Sequence, residues 1–293
     1  MGDPSPARHI DLTAAQGNTF WVLRYNTGMD DRSSLQAALS GLPLGEIRWF
    51  ESIGSTNDEA LAWASAGAPN GSLVAADRQT RGRGRLGRSW ETHPGAALAV
   101  SLILRPAVDE MEYFGLFSPL GGLAVCQALE SEYSLPAEIK WPNDVLVGRR
   151  KVCGVLAEAG WDGSALDSMV IGIGINVAPG SVPPAGQLNF PATCVEEALG
   201  RPVDRWRLLA AVVAQMIQLR PRLGSLQFLK AWEERLAYRG ELVRLENSGG
   251  QPVNGTLLGV TSEGSLRLAR EDGSEVHFSA GDVSLRPAGE RQT

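Results

Sequence analysis

Polar and apolar positions follow two alternating periods along this chain, and the switches between them mark the elements. Glu46–Ile53 has the extended pattern of a strand. Gly-Ser-Thr-Asn-Asp-Glu follows and opens a helix to about Ser65, with Ser55 and Asp58, or Thr56 and Glu59, as a capping box. The apolar runs 72–76 and Ala97–Leu104 read as buried strands, and the mostly apolar stretch Tyr113–Tyr133 as a buried helix. A strand over 137–147 is interrupted at Pro142, which cannot donate to a ladder, so Lys140, Asn143 and Asp144 sit around a kink. Gly148-Arg-Arg makes a hairpin turn into Lys151–Glu158, and Ser168–Val177 forms a further strand in which Gly172 and Gly174 leave room for a close neighbour. Ser34–Leu42, 204–219 and 226–238 read as helices.

Beyond Glu241 the period shortens. Leu242–Leu245, Gly255–Val260, Ser265–Leu268, Glu275–Phe278 and Val283–Leu285 are five short strands split by turns, the pattern of a small β-barrel domain. The expected class is therefore α+β: a mixed β-sheet domain over 45–238 with its helices on one face, and a small β-barrel over 239–293. Residues 1–44 are expected to be a lead-in with no DNA-binding module, since they carry little pattern and no basic excess.

Composition narrows the function. A net charge of −6 over 293 residues argues against a general nucleic-acid coat. No run of 18 apolar residues occurs, so no membrane span or membrane partner is expected. The N-terminus lacks a signal-peptide pattern, and the scattered Cys126, Cys153 and Cys194 form no disulfide framework, which together imply a cytoplasmic protein. With His9, His93 and His277 equally dispersed, no protein-held zinc site is expected.

The chemistry concentrates between the strands at 72–76 and 97–104. Gln79–Trp90 holds three glycines and four arginines within Arg81–Arg88 and has no apolar face, so it is a loop. Glycine lets a backbone approach a ligand, and arginine offers a forked donor to phosphate or carboxylate. Only three of the 27 basic residues are lysine, and two of these, Lys140 and Lys151, lie eleven positions apart. Lysine supplies a compact charge that a planar guanidinium cannot copy.

Gly54-Ser-Thr-Asn, Gln79-Thr-Arg-Gly-Arg-Gly-Arg-Leu-Gly-Arg, Lys140-Trp-Pro-Asn-Asp, Lys151-Val-Cys-Gly-Val-Leu and Gly172-Ile-Gly-Ile-Asn, in this order, resemble the motifs of the biotin protein ligases over residues 46–286. Arg81 departs from the family's usual alanine or glycine, and the N-terminal repressor module of the bifunctional members is missing from the pattern. The resemblance implies an SH3-like C-terminal domain and a monofunctional ligase. Such an enzyme forms biotinyl-5′-AMP from biotin and MgATP, then transfers biotin to a lysine of a carboxylase's biotin carrier domain, such as that of acetyl-CoA carboxylase. It implies Lys151, Arg85 and Asp144 as catalytic residues. The implied biotin site is Ser55, Thr56, Asn57, Gln79, Gly82, Arg83, Gly84, Arg85, Lys151 and Gly154. Arg83, Arg85, Arg88, Trp90, Lys140, Asn143, Lys151 and Asn176 are implied for ATP and the adenylate. Asp144 is implied as a carboxylate for magnesium or for orienting the acceptor lysine, no metal being held by the protein alone. Trp141 and Pro142 shape the kink, Glu158 reads as an ion-pair residue and Cys153 as a small core residue.

Two alternatives stay open. A lipoate ligase or acyltransferase of the same superfamily would hold an apolar acyl tail, against which the polar Ser55-Thr56-Asn57 cluster speaks. An RNA-binding protein using the Gly/Arg loop as a clamp would need a basic balance and interleaved aromatics that the loop lacks. Homodimerisation is compatible with the sequence.

The patternless, slightly acidic lead-in generates one expectation. Sequence-specific DNA binding should be absent even with biotinyl-AMP present, so an electrophoretic shift of the chain's own promoter DNA that depends on this ligand is the result that would contradict it.

Overall fold

The computed structural model describes residues 30–287 apart from 91, 185, 187, 189, 248–250 and 281–282. Most of the lead-in, residues 1–29, lies outside the described residues. Its last part is a helix, α1 (Asp31–Leu39), capped by the Asp30 side chain on Ser33 N and starting three residues before the expected Ser34. Leu35 and Leu39 are fully buried, and Asp31 pairs with Arg205 at 2.8 Å, so this end of the lead-in belongs to the core.

Seven strands form the large sheet. They are β1 (Ile47–Ile53), β2 (Leu73–Gln79), β3 (Ala97–Leu104), β4 (Glu138–Lys140), β5 (Asp144–Val147), β6 (Arg150–Asp162) and β7 (Ala165–Asn176). Their order is β1-β2-β3-β7-β6-β5-β4. Only β1 and β2 run parallel; the other neighbours are antiparallel. Every residue of β3 is buried, which is why its sequence is an apolar run without alternation.

Strand alternation separates two packed faces. Leu73, Ala75, Leu98, Val100, Leu102 and Ile171 join the main core with α3 (Phe117–Tyr133) and α5 (Arg205–Leu219). The intervening Val74, Ile103 and Val170 pack instead on Ala60, Trp63 and Ala64 of α2 (Thr56–Ser65). The main helical layer therefore lies on one face as expected, while α2 covers part of the other, because strands buried on both sides need apolar cover on both.

Two helix boundaries differ from the sequence pattern for identifiable reasons. α3 starts at Phe117 after a 3-10 segment over Val108–Leu116, since Pro119 is tolerated only within a first helical turn. α6 (Leu226–Glu234) stops short of Tyr238 because the chain turns to cover β4, with Ala237 N donating to Ile139 O at 2.9 Å. α4 (Val195–Leu199) is a short link between the sheet and α5.

The C-terminal unit is a five-stranded antiparallel sheet of β8 (Leu242–Asn247), β9 (Val253–Val260), β10 (Leu266–Ala269), β11 (Glu275–Phe278) and β12 (Val283–Pro287), in the order β11-β10-β9-β8-β12. It docks through directed bonds. Trp141 Nε1 donates to Gly264 O at 3.1 Å, and Glu233 accepts from Val260 N at 3.0 Å. Among the described residues no helix is long and apolar enough to cross a membrane.

Candidate active site

One cleft gathers most of the sequence-selected residues, with an empty space of about 870 Å³ open to solvent. Its walls come from the start of α2, the Gly/Arg loop, the β4–β5 kink, the start of β6, the middle of β7 and, through Leu285, β12.

The polar end is built at the N-terminus of α2. Ser55 caps the helix, its hydroxyl accepting from Asp58 N at 3.4 Å, but the Asp58 carboxylate turns to Arg83, so this half of the first expected capping box forms without its reciprocal bond. Gln79 Oε1 accepts from Thr56 N at 2.8 Å and from Thr56 Oγ1 at 3.1 Å. Ser101 lies beneath, its hydroxyl 2.8 Å from Thr56 Oγ1 and 2.6 Å from Asn57 Oδ1. Asn57 Nδ2 donates to Leu156 O at 3.1 Å and to Glu158 Oε2 at 2.7 Å. Ser55, Thr56, Asn57 and Ser101 are buried and Gln79 half-buried, and their hydrogen bonds fix the cluster as a set of neutral donors and acceptors. Sequence reasoning did not select Ser101; its signal was there, as the lone polar residue in the Ala97–Leu104 run.

Gly172 and Gly174 keep their room for the protein itself. A Cβ at Gly172 would lie 2.1 Å from Asn57 Oδ1, and one at Gly174 would lie 2.4 Å from the Trp90 ring. The glycines therefore let Asn57 and Trp90 rest on the sheet. Gly154 borders the same ring at 3.3 Å, and Lys151 Nζ stands 5.5 Å from its centroid, within cation–π range.

The charged end is a triad. Lys151 Nζ lies 2.6 Å from Asp144 Oδ1, and Lys140 Nζ lies 3.2 Å from Oδ2. Both lysines that stood out in an arginine-rich chain thus share one carboxylate, while Lys230 is an exposed surface residue. Burial alone would raise the Asp144 pKa, but Lys151 and then Lys140 hold it well below the carboxylate range. Burial lowers Lys140 to about 8 despite Asp144, helped by Arg286 and Lys151. The Lys140 ammonium also lies 4.6 Å from the Phe190 ring, on a segment whose Pro191 O accepts from Lys151 N at 2.8 Å. Both Asp144 oxygens are engaged by ammonium groups, a set that does not fit a magnesium ligand. Among the described residues no cluster of three His, Cys, Asp or Glu side chains stands ready for a metal.

The Gly/Arg loop is a closed hairpin, with Arg83 bridging Ser89 and Trp90 N donating to Gly82 O at 2.9 Å. Gly82 lies outside the cleft wall, and a Cβ there would sit 2.3 Å from Trp90 O. Gly84, Arg85, Leu86 and Arg88 face the cleft. Arg83 forks onto Glu158 at 2.9 Å and reaches Asp58 at 2.6 Å, and its pKa is raised chiefly by the Glu158 hydrogen bond. Glu158 is thus the ion-pair partner read from the sequence. Arg85 donates to Asn143 Oδ1 at 3.4 Å and to Ala280 O, spanning to the C-terminal unit. Asn143 Nδ2 in turn donates to Val155 O at 2.8 Å. Asn176 lies off the cleft, its Nδ2 donating to Thr193 O at 3.1 Å. Cys153 is fully buried, as its core reading requires.

Comparison with known proteins covers both sheets. Residues 49–176 match the model of the biotin/lipoate A/B protein ligase family, and residues 239–286 match the biotin protein ligase C-terminal domain. The biotin–[acetyl-CoA-carboxylase] ligase of Mycobacterium tuberculosis is 35% identical over 261 residues, 86% of this chain and 94% of that protein. The bifunctional ligase/repressor BirA of Bacillus spizizenii is 32% identical over 247 residues, 80% of this chain and 72% of that protein. The solved biotin protein ligase from Aquifex aeolicus in complex with biotin and ATP superposes with a TM-score of 0.72 at 32% identity, covering 83% of this chain and 99% of that one.

The glycine floor generates a direct test. Gly174→Ala should push Trp90 off β7 and lower stability by about 1–3 kcal/mol, the cost of overpacking. Urea unfolding reads the loss, and acrylamide quenching against a Trp90→Phe control reads the displaced indole.

Proposed function

The chain belongs to the biotin protein ligase family, and from that premise we propose how its own cleft performs ATP-dependent biotin ligation. Biotin's carboxylate attacks the α-phosphorus of ATP, giving biotinyl-5′-AMP and pyrophosphate, and a lysine amine then displaces AMP from the mixed anhydride. The observation that carries the reading is the Lys140–Asp144–Lys151 triad, in which Lys140 and Asp144 are buried and Lys151 is half-buried at the cleft wall, set between a neutral polar cluster and an arginine-rich loop.

The first step brings two anions together. Two ammonium groups share one carboxylate, so one positive charge is left over, held in a partly dry cleft where it acts strongly. Lys151, at the cleft wall beside Trp90, stabilises the approach of the carboxylate and the charge that builds on the α-phosphate. Lys140 and Arg85 meet the remaining phosphate charge, with Asn143 fixing Arg85. Asp144 orients both lysines instead of holding the magnesium that accompanies ATP. The uncharged ureido ring and valeryl tail suit the Ser55–Asn57 cluster with Gln79, and Trp90 walls the adenylate. The loop covers the anhydride and excludes water.

Residues 45–238 serve as the catalytic unit and 239–293 as a C-terminal domain that completes the cleft; Leu285 in its wall and the Arg85–Ala280 bond support this division. The acceptor is the biotin carrier domain of a carboxylase, met in the cytoplasm.

Exchange of labelled pyrophosphate into ATP should require biotin and fail with lipoate; exchange with lipoate alone would overturn the assignment. Lys151→Gln should lower adenylate formation by roughly 2–4 kcal/mol of transition-state stabilisation. Transfer from added biotinyl-AMP should suffer less, and equal losses in both half-reactions would assign Lys151 to binding or folding.

A further prediction concerns pH. Lys140 contributes its charge only while protonated, and in the free enzyme that form is lost above a pKa of about 8. The kcat/KM for ATP reports free-enzyme groups, so it should decline as pH rises through this value. Lys140→Arg should remove that limb; a profile that is flat above pH 8 in the unaltered enzyme would exclude Lys140 from nucleotide binding.

A further inference from the structure

Glu158 takes no part in the chemistry of adenylation, yet it accepts three hydrogen bonds from two groups that border the cleft. Arg83 Nη1 and Nη2 reach its two oxygens at 2.9 Å each, a fork-on-fork pair, and Asn57 Nδ2 reaches Oε2 at 2.7 Å. Its side chain is only 24% exposed. Arg83 belongs to the Gly/Arg loop, Asn57 to the first turn of α2 and Glu158 to β6, so one carboxylate ties three separate segments together.

We infer that Glu158 is a positioning residue that latches the Gly/Arg loop over the cleft and, through the same carboxylate, fixes the amide of Asn57. The inference rests on the biotin-ligation reading for its ligand but on geometry alone for the latch.

The charges explain why a latch is needed. Four arginines within Arg81–Arg88 repel one another, and a hairpin this short has little apolar surface to hold it. Glu158 and Asp58 neutralise Arg83 from the protein's own side, at 2.9 Å and 2.6 Å. The Arg83 side chain thereby anchors the loop, and Arg85, two residues further along it, keeps its reach toward Asn143 and the cleft. The two arginines of the repeat therefore divide their work: one holds the loop and the other meets the ligand.

The Asn57 arm has the same logic. Its amide nitrogen donates to Leu156 O at 3.1 Å as well as to Glu158, and its oxygen faces Ser101 at 2.6 Å. All three donor hydrogens that Glu158 receives require an acceptor. Glutamine in its place offers one acceptor and one donor group, so in either orientation an N–H would face the guanidinium, and in one of them the Asn57 amide as well. Loop closure and the set of the polar cluster are coupled at this one residue, and both should loosen together when it is changed.

The test uses the full chain and two readouts. In the ligand-free protein, limited trypsin digestion of Glu158→Gln should nick the loop at Arg85 or Arg88 several-fold faster than the unaltered protein. With biotin and ATP, dissociation of biotinyl-AMP should accelerate about tenfold, the scale of one charge-assisted hydrogen bond. Arg83→Lys keeps the charge but cannot make the fork, and should accelerate release similarly. Because the two residues act as one unit, the double variant should release no faster than the worse single variant. Unchanged nicking in Glu158→Gln, or a double variant showing the product of both single effects, would overturn the latch. If Glu158→Gln does not fold, Arg83→Lys decides alone, and unaltered nicking and release there would overturn it. Failure of the unaltered protein to make biotinyl-AMP would instead sink the functional reading, leaving the proteolysis arm to judge the latch.

Discussion

One carboxylate shared by two ammonium groups is the constraint on which the rest of the cleft depends. Lys140, Asp144 and Lys151 are held on β4, β5 and β6, three adjacent strands, so their spacing is set by backbone hydrogen bonds and not by flexible loops. Holding a buried and a half-buried cation together is costly unless each finds an anion, and a single aspartate balances only one of them. Burial is the main reason the Lys140 pKa falls to about 8, with Arg286 and Lys151 adding to it and Asp144 opposing it. A cleft left with surplus positive charge attracts an anionic ligand, and ATP with the biotin carboxylate brings the missing negative charge.

The other end of the cleft obeys a different rule. There the groups are neutral, close-packed and satisfied by one another, with Ser101, Thr56, Asn57 and Gln79 in one chain of hydrogen bonds. Such a network is rigid, which suits recognition of an uncharged ring by shape and hydrogen bonding. The glycines of β7 make the arrangement sterically possible, since side chains at 172 or 174 would occupy the space of Asn57 and Trp90. The Gly/Arg loop joins the two ends, fixed by Arg83 on the neutral side and reaching by Arg85 to the charged side and to Ala280.

The C-terminal sheet has a part in this economy of contacts. Its bonds from Trp141 and Glu233 fix it against the kink and α6, and β12 places Leu285 in the cleft wall. Arg286 adds to the positive field at Lys140. A ligand in the cleft would thus touch side chains from both sheets.

By itself the sequence determined the elements, and the order of its motifs, through their resemblance to those of the biotin protein ligases, most of the site's membership. Period-two and period-3.6 patterns located the strands and helices, the run of buried β3 was legible as an apolar stretch, and Pro142 marked the kink. The scarcity of lysine pointed to Lys140 and Lys151, and the Gly/Arg composition identified the loop. These are local properties, readable within a few residues. Only the tertiary structure decided which groups meet. That Asp144 lies between both lysines follows from strand register; that Asn57 and Trp90 fill the glycine space follows from how α2 and the loop pack on β7. That Arg83 turns to Glu158, 75 positions away, that Asn176 turns away from the cleft, and that Leu285 enters it, are likewise outcomes of packing. A sequence pattern records the period of burial, whereas contact between distant side chains is fixed only when the sheets and helices close on one another.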